Sequence, residues 1–228
     1  MEVQEKTAIA RGRVYELGEE IANSITHGIG TGLSIVALIL LVVRAATNAP
    51  AGKVGPYVVG CTVFGVSLIL LYTMSTLYHA FAVGKTKRVF AILDHSAIFI
   101  LIAGTYTGFC LTVLYGPLGW WLFGIIWGLA ALGITLYSCF RERASVFTFP
   151  LYLVMGWLIV VVARQLFHVL PPTALLLLFL GGVTYSLGCI FFMMKHVRWM
   201  HSIWHLFVLA GSILHFLALY AALGPNPQ

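Results

Sequence analysis

The chain has 228 residues, of which 61% are hydrophobic and 9% are charged, and its formal net charge at pH 7 is +6. Soluble domains carry about 25% charged residues, so the composition excludes an ordinary soluble protein and predicts a helical bundle within a membrane. The basic residues lie in short segments between apolar stretches, which is typical of membrane orientation signals and gives no indication of a nucleic-acid partner.

Seven hydrophobic segments approach the length of about 20 residues that a helix needs to cross the hydrocarbon core of a bilayer. In chain order they are 25–43, 57–80, 93–115, 119–139, 145–164, 173–194 and 201–222. Charged residues or turn signals separate them, such as Gly116-Pro117 before the fourth segment and Pro171-Pro172 before the sixth. We therefore predict an all-α fold, a polytopic bundle of seven transmembrane helices.

The positions of Lys and Arg predict how this bundle is oriented. Ten of the 13 basic residues lie on the side of the N-terminus, and the three on the opposite side are Arg44, Lys53 and Arg164. Cytoplasmic loops of membrane proteins carry the excess of basic residues. The chain is therefore predicted to divide into a cytoplasmic N-terminal segment (1–22), a transmembrane domain (23–223) and an external tail (224–228).

Polar residues cluster at the cytoplasmic ends of three predicted helices. Ser75 and His79 end the second span, Asp94 begins the third, and His201 and His205 begin the seventh. Residues four apart share one helix face, because four residues make nearly one turn. Three imidazoles from two helices can thus meet at one point, and three protein nitrogens with one open position is the arrangement of a catalytic zinc site.

Asp94 and Ser75 are the candidate catalytic residues beside this triad. Asp94 could be a fourth ligand, or it could hydrogen-bond a metal-coordinated water and accept its proton, and we favour the second role. Ser75, one turn deeper than His79, could bond that water or a substrate carbonyl. A single histidine near a helix end is often only an interfacial residue, but two i,i+4 pairs and an aspartate on one side favour a site.

The other histidines are predicted to have different roles. His95 lies about 100° around the helix from Asp94 and is expected to point elsewhere. His215 lies about 15 Å deeper than His205 and is expected to pack or hydrogen-bond. His168, next to Pro171, is expected on the opposite side of the membrane.

These motifs resemble the signature of the progestin and adipoQ receptor family and its bacterial haemolysin III branch. The matching stretches are Ser75-Thr-Leu-Tyr-His79, Asp94-His95-Ser96, His201-Ser-Ile-Trp-His205 and Glu20-Ile-Ala-Asn23-Ser-Ile-Thr26-His27. The resemblance implies that His79, His201 and His205 bind Zn2+ near the cytoplasmic face, that Asp94 holds the zinc-bound water and that Ser75 lies nearby. It also implies a multi-pass protein of the bacterial plasma (inner) membrane.

The N-terminal element of this resemblance contains three further candidate site residues. Glu20, Asn23 and His27 match the family, and we keep them as candidates for contacts that support the metal ligands. Spacing alone gives them no ligand role, and we interpret Asn23 and Thr26 as residues that cap or bond the start of the first helix.

Three functions are compatible with the sequence. The first is a zinc-dependent hydrolase that acts on a membrane lipid amide or ester and influences membrane homeostasis, because the wider superfamily includes alkaline ceramidases. The second is a non-enzymatic, receptor-like or membrane-state sensor with a structural zinc. The third is a cytolytic haemolysin, which we favour least because a channel needs polar residues along the full depth of several helices. Membrane lipids are the expected partners.

Overall fold

The computed structural model describes residues 16–194 and 196–224, and all regular elements in these ranges are helical. The α-helices, numbered in chain order, are α1 (Leu17–Asn48), α2 (Val54–Ala80), α3 (Lys85–Cys110), α4 (Pro117–Phe140), α5 (Ser145–Trp157), α6 (Ala163–Val169), α7 (Pro172–Met193) and α8 (Met200–Ala222). Two short 3-10 turns, Arg141–Ala144 and Leu158–Val162, lie on either side of α5. Most of the predicted N-terminal segment (1–22) and of the predicted tail (224–228) falls outside the described residues.

Seven helical stretches of the described chain are long and apolar enough to cross a membrane. Six are single helices, and the fifth, Val146–Val169, combines most of α5 with the following 3-10 turn and α6. This confirms the predicted all-α architecture with seven spans. Which end of the bundle faces the cytoplasm stays a prediction.

The first helix differs from its predicted span because it begins at Leu17 rather than at residue 25. Glu16 is its N-cap, and the Glu16 backbone N–H donates to Glu19 Oε2 (3.2 Å) in a capping box. The interpretation of Asn23 and Thr26 as residues that cap the start of the helix is therefore wrong, whereas the alternative, a bond to the start of the helix, holds for Thr26. Asn23 lies within the helix and is fully buried, and the Thr26 hydroxyl donates to the Ala22 carbonyl (2.7 Å) one turn earlier.

Helix α3 lies at the centre of the bundle. Half of the residues in its apolar stretch are buried, compared with 17% in the fifth and sixth spans. It packs against α2, α4, α5 and α8, while α1 packs against α2 and α8. The start of α1, the end of α2 and the starts of α3 and α8 therefore lie together at one end of the bundle, where the predicted site residues are.

The fifth span is not a continuous α-helix, and Tyr106 of α3 hydrogen-bonds to its backbone at the interruption. Its hydroxyl donates to the Met155 carbonyl (2.7 Å) and accepts from the Ile159 N–H (2.7 Å). Lipid cannot hydrogen-bond to backbone groups, so a broken helix is tolerated in a membrane only where another protein group or water does so. Tyr106 thus satisfies backbone groups where the 3-10 turn interrupts the fifth span between α5 and α6.

Candidate metal centre

Three histidine side chains from α2 and α8 converge at one end of the bundle. The ligand atoms of His79, His201 and His205 all lie within 4.8 Å of one another, in the part of the chain that the structure describes. His201 Nε2 and His205 Nε2 are 3.1 Å apart. The triad that the spacing predicts is therefore assembled, and it could hold a metal ion between two helices.

The separation of His201 and His205 fits a tetrahedral metal such as zinc. Bonds of about 2.0–2.1 Å in a tetrahedral site place the ligand nitrogens roughly 3.3 Å apart, close to the observed separation of His201 and His205. His79 Nδ1 donates to Glu20 Oε2 (2.7 Å), so Nε2 is the nitrogen of His79 that can coordinate an ion. Neutral imidazoles with a defined tautomer are the usual nitrogen ligands of zinc.

Helix α1 contacts both helices that carry the ligands. Glu20 accepts the hydrogen bond from His79, and the ring of His27 stacks on the ring of His205 with centroids 3.7 Å apart. Asn23, between them, has a fully buried amide whose nitrogen and oxygen have no hydrogen-bond partner among the described residues. The site is thus built by three helices.

Tyrosine residues support His27 from deeper in the bundle. The ring of Tyr72 meets the ring of His27 edge to face, with centroids 4.9 Å apart. The Tyr72 hydroxyl donates to Ser212 Oγ (2.7 Å), and Ser212 Oγ also hydrogen-bonds the Tyr185 hydroxyl (2.7 Å). This chain of contacts joins α1, α2, α7 and α8 beneath the metal centre.

Glu19 fixes the start of α8, whose first turn carries His201. The Trp199 backbone N–H donates to Glu19 Oε1 (2.5 Å), and Trp199 has φ = 65°, a left-handed conformation that is uncommon outside glycine. Arg198 pairs with Glu16 next to this contact. The contact of Glu19 with Trp199 therefore ties the start of α1 to the residue that precedes α8, two residues before His201.

A cavity of about 120 Å³ lies beside the triad. His201, His205, Asp94 and Ser75 border it, and His79 does not. Asp94 is not among the side chains that meet at the candidate metal position. Both predicted catalytic residues thus border the same cavity as two of the three candidate ligands, and their roles in catalysis stay predictions.

A second cavity, of about 350 Å³, lies beside the first one. The lining of the second cavity is mostly apolar side chains of α3, the fifth span and α7. The residues that line both cavities are Thr105, Tyr106, Gly156, Trp157, Gly182 and His215. A hydrophobic space near the break in the fifth span therefore adjoins the cavity beside the candidate metal centre.

Two of the remaining histidines also border the first cavity. His95 donates from Nδ1 to the Ala91 carbonyl (2.9 Å) and stacks on Tyr137 with centroids 4.6 Å apart. The expectation that His95 points elsewhere than Asp94 is wrong, because the same Nδ1 lies 3.8 Å from Asp94 Oδ2. His95 also borders the cavity, which the sequence interpretation did not include. His215 packs 5.3 Å from the ring of Tyr185 and lies where the two cavities meet.

The sequence interpretation missed Lys87 and Tyr72 as parts of the site. Lys87 Nζ donates to Glu20 Oε1 (2.8 Å), although it was interpreted only as an orientation charge. Helical spacing could have indicated both residues. Lys87 lies seven residues before Asp94, and Tyr72 lies seven residues before His79, which places each pair on one helix face.

Comparisons with known proteins identify relatives along most of the chain. The family described as Haemolysin-III related matches residues 15–216. Hemolysin-3 of Bacillus cereus is 49% identical over 201 residues, which cover 88% of this chain and 90% of the relative. The Hemolysin-3 homolog of Bacillus subtilis (strain 168) is 46% identical over 206 residues, which cover 90% of this chain and 95% of the relative.

A more distant similarity extends to animals. The human Monocyte to macrophage differentiation factor is 28% identical over 171 residues, which cover 72% of this chain and 71% of the relative. No solved structure gives a significant match.

Proposed function

The chain belongs to the haemolysin III-related family and is a multi-pass protein of the bacterial plasma membrane, and on this basis we propose that it is a zinc-dependent hydrolase of a membrane lipid amide or ester. One observation carries the proposal. A single cavity is bordered by two of the candidate metal-binding histidines, by Asp94 and by Ser75, and a mostly apolar cavity adjoins it.

The residues around the cavity have separate roles in the proposed hydrolysis. His79, His201 and His205 hold the ion, which when bound would polarise a carbonyl group and lower the pKa of a coordinated water to about 7. Asp94 provides a carboxylate on the cavity wall that can accept the proton of the attacking water. Ser75 provides a buried hydroxyl that can donate to the carbonyl oxygen of the substrate.

The second cavity supports a lipid as the substrate. An acyl chain needs apolar surroundings, and this cavity is lined mainly by hydrophobic side chains. Several of these side chains, such as Val160, Phe167, Leu176 and Phe179, are also exposed on the outside of the bundle. A lipid could therefore enter sideways from the bilayer and present its amide or ester group to the metal centre.

The distribution of charge supports a metal centre on the cytoplasmic side. At the site end of the bundle the described basic residues are Lys85, Lys87, Arg88, Arg141, Arg143 and Arg198. At the other end they are Arg44, Lys53 and Arg164. Four more of the ten basic residues counted for the cytoplasmic side, Lys6, Arg11, Arg13 and Lys195, lie outside the described part of the chain.

A non-enzymatic sensor with a structural zinc is the second candidate. The contacts of Glu19 with Trp199 and of Glu20 with His79 favour it, because they tie α1 to both ligand-bearing helices. An ion at this point would join α2 to α8, and these contacts would link both helices to α1, whether or not catalysis occurs there. Cytolysis, which the names of the Bacillus relatives suggest, is the third candidate.

Zinc dependence of lipid hydrolysis tests the proposal. Purified protein in bilayer discs is stripped of metal with a chelator and reloaded with zinc, and product release is measured on a panel of lipid amides and esters. A hydrolase loses turnover on stripping and regains it with zinc. If no lipid is hydrolysed by the zinc-loaded protein, the sensor becomes the better proposal, and dye release from vesicles then tests cytolysis.

A further inference from the structure

The carboxylate of Glu20 lies between two partners from different helices. Its Oε2 accepts from His79 Nδ1 at 2.7 Å, and its Oε1 accepts from Lys87 Nζ at 2.8 Å. The His79 side chain is completely buried, and only 15% of the Glu20 side chain is exposed. Glu20 therefore connects α1, α2 and α3 at a point where one of the three metal-binding rings is anchored.

We infer that Glu20 is a positioning residue of the metal centre, which holds the ring of His79 so that Nε2 faces His201 and His205. The inference deepens the proposed function and rests on it, because it concerns the same metal. A neutral imidazole has two tautomers, and its ring can turn by about 180° with little change in shape. A carboxylate on Nδ1 favours the tautomer with its lone pair on Nε2 and makes that nitrogen a stronger ligand.

Lys87 holds the carboxylate in the orientation that this role needs. Its ammonium group donates to the Phe81 carbonyl (3.2 Å) as well as to Glu20, and it lies 4.9 Å from the centre of the Tyr78 ring. With Oε1 held by Lys87, Oε2 is directed to His79. The chain from Lys87 through Glu20 to His79 thus ends at the metal position.

A purely structural ion pair between Glu20 and Lys87 is the competing explanation. It would stabilise the packing of α1 against α3 and leave the affinity for metal unchanged. The two explanations differ at His79, because only a positioning role requires the contact with Nδ1. Metal affinity, measured separately from folding stability, therefore separates them.

The test is the zinc affinity of Glu20→Gln, measured by competition with a chromogenic chelator on the full-length purified protein. The neutral amide is a weaker acceptor for His79, and its NH2 group cannot face Lys87. We expect zinc to bind about 10–100-fold more weakly, as for the loss of other groups that orient metal ligands. Glu16→Gln is the matched control, because it removes the same charge from the same end of α1 and contacts Arg198 instead.

Two further measurements distinguish positioning from packing. The visible absorption bands of the cobalt-loaded protein should shift in Glu20→Gln, because the ligand field of His79 changes, and should stay unchanged in Glu16→Gln. Lys87→Gln should weaken zinc binding less than Glu20→Gln does. An equal loss in both variants, or a Glu20→Gln protein with wild-type affinity and spectrum, would overturn the inference while leaving the zinc site in place. A wild-type protein that binds no zinc would overturn the proposed function together with this inference.

Discussion

The rings of His27 and His205 stack almost parallel, at an interplanar angle of 14° and a centroid distance of 3.7 Å. His27 belongs to α1 and His205 to α8, so the first and last spans meet at the metal centre. Tyr72 packs edge-on against the same His27 ring. A change that displaces Tyr72 is therefore expected to disturb His205 through His27.

Gly30 gives the first such prediction. A methyl group at Gly30 would lie 2.6 Å from the ring of Tyr72, whereas one at Gly32 on the same helix has no other atom within 4 Å. We expect Gly30→Ala to cost about 1–3 kcal/mol of stability, as overpacking of a buried contact does, and Gly32→Ala to have little effect. Thermal unfolding of both variants in the same detergent measures the difference. Identical unfolding temperatures of the two variants would show that Tyr72 can move aside without a loss of stability.

His205→Ala tests the metal ligands directly. Removal of one of three protein ligands should cost much of the zinc affinity, so the purified variant should contain far less than the roughly one zinc per chain expected for the wild type. His168→Ala is the control, because His168 is exposed at the opposite end of the bundle. Elemental analysis of both proteins gives the result. An unchanged zinc content in His205→Ala would remove this histidine from the ligand set.

Tyr106→Phe tests the role of the break in the fifth span. The variant keeps the ring but leaves the Met155 carbonyl and the Ile159 N–H without their partner. Each unsatisfied buried group costs about 1–3 kcal/mol, so a clear fall in thermal stability is expected. Tyr115→Phe, which removes a hydroxyl from a more exposed residue, should change the stability little. Equal stability of the two variants would mean that another group satisfies the break.

The orientation of the bundle is tested by reporter fusions at Gln228. Ten basic residues against three predict an external C-terminus, so alkaline phosphatase fused there should be active and a fluorescent protein that folds only in the cytoplasm should be dark. The opposite pattern would move the metal centre to the outer face of the membrane.

The seven spans and the three histidines could be predicted from the sequence, because the signals for both lie in short continuous stretches of the chain. Hydropathy depends on runs of about 20 apolar residues, and an i,i+4 spacing fixes which side chains share a face. The start of α1 was placed too late because Glu19, Glu20 and Asn23 are polar, and hydropathy cannot tell a buried polar face from a loop. The partners of Glu19 and Glu20, which are Trp199 and His79, come from distant parts of the chain.

The break in the fifth span was not predictable for a similar reason. Residues 158–162 are all aliphatic, so their composition predicts an ordinary membrane helix. The 3-10 turn there depends on the hydroxyl of Tyr106, more than 50 residues earlier in the chain. The cavities that meet beside Tyr106 depend on tertiary packing in the same way.

Asp94→Asn is the most direct test of the central claim that the metal centre hydrolyses a lipid. The measurement is product release from lipid amides and esters in bilayer discs, with the zinc content determined on the same samples. The three histidines should still hold zinc, and the amide cannot accept a proton, so turnover should fall by about 10²–10⁴-fold. Equal turnover by the wild type and Asp94→Asn, at equal zinc content, would contradict the account.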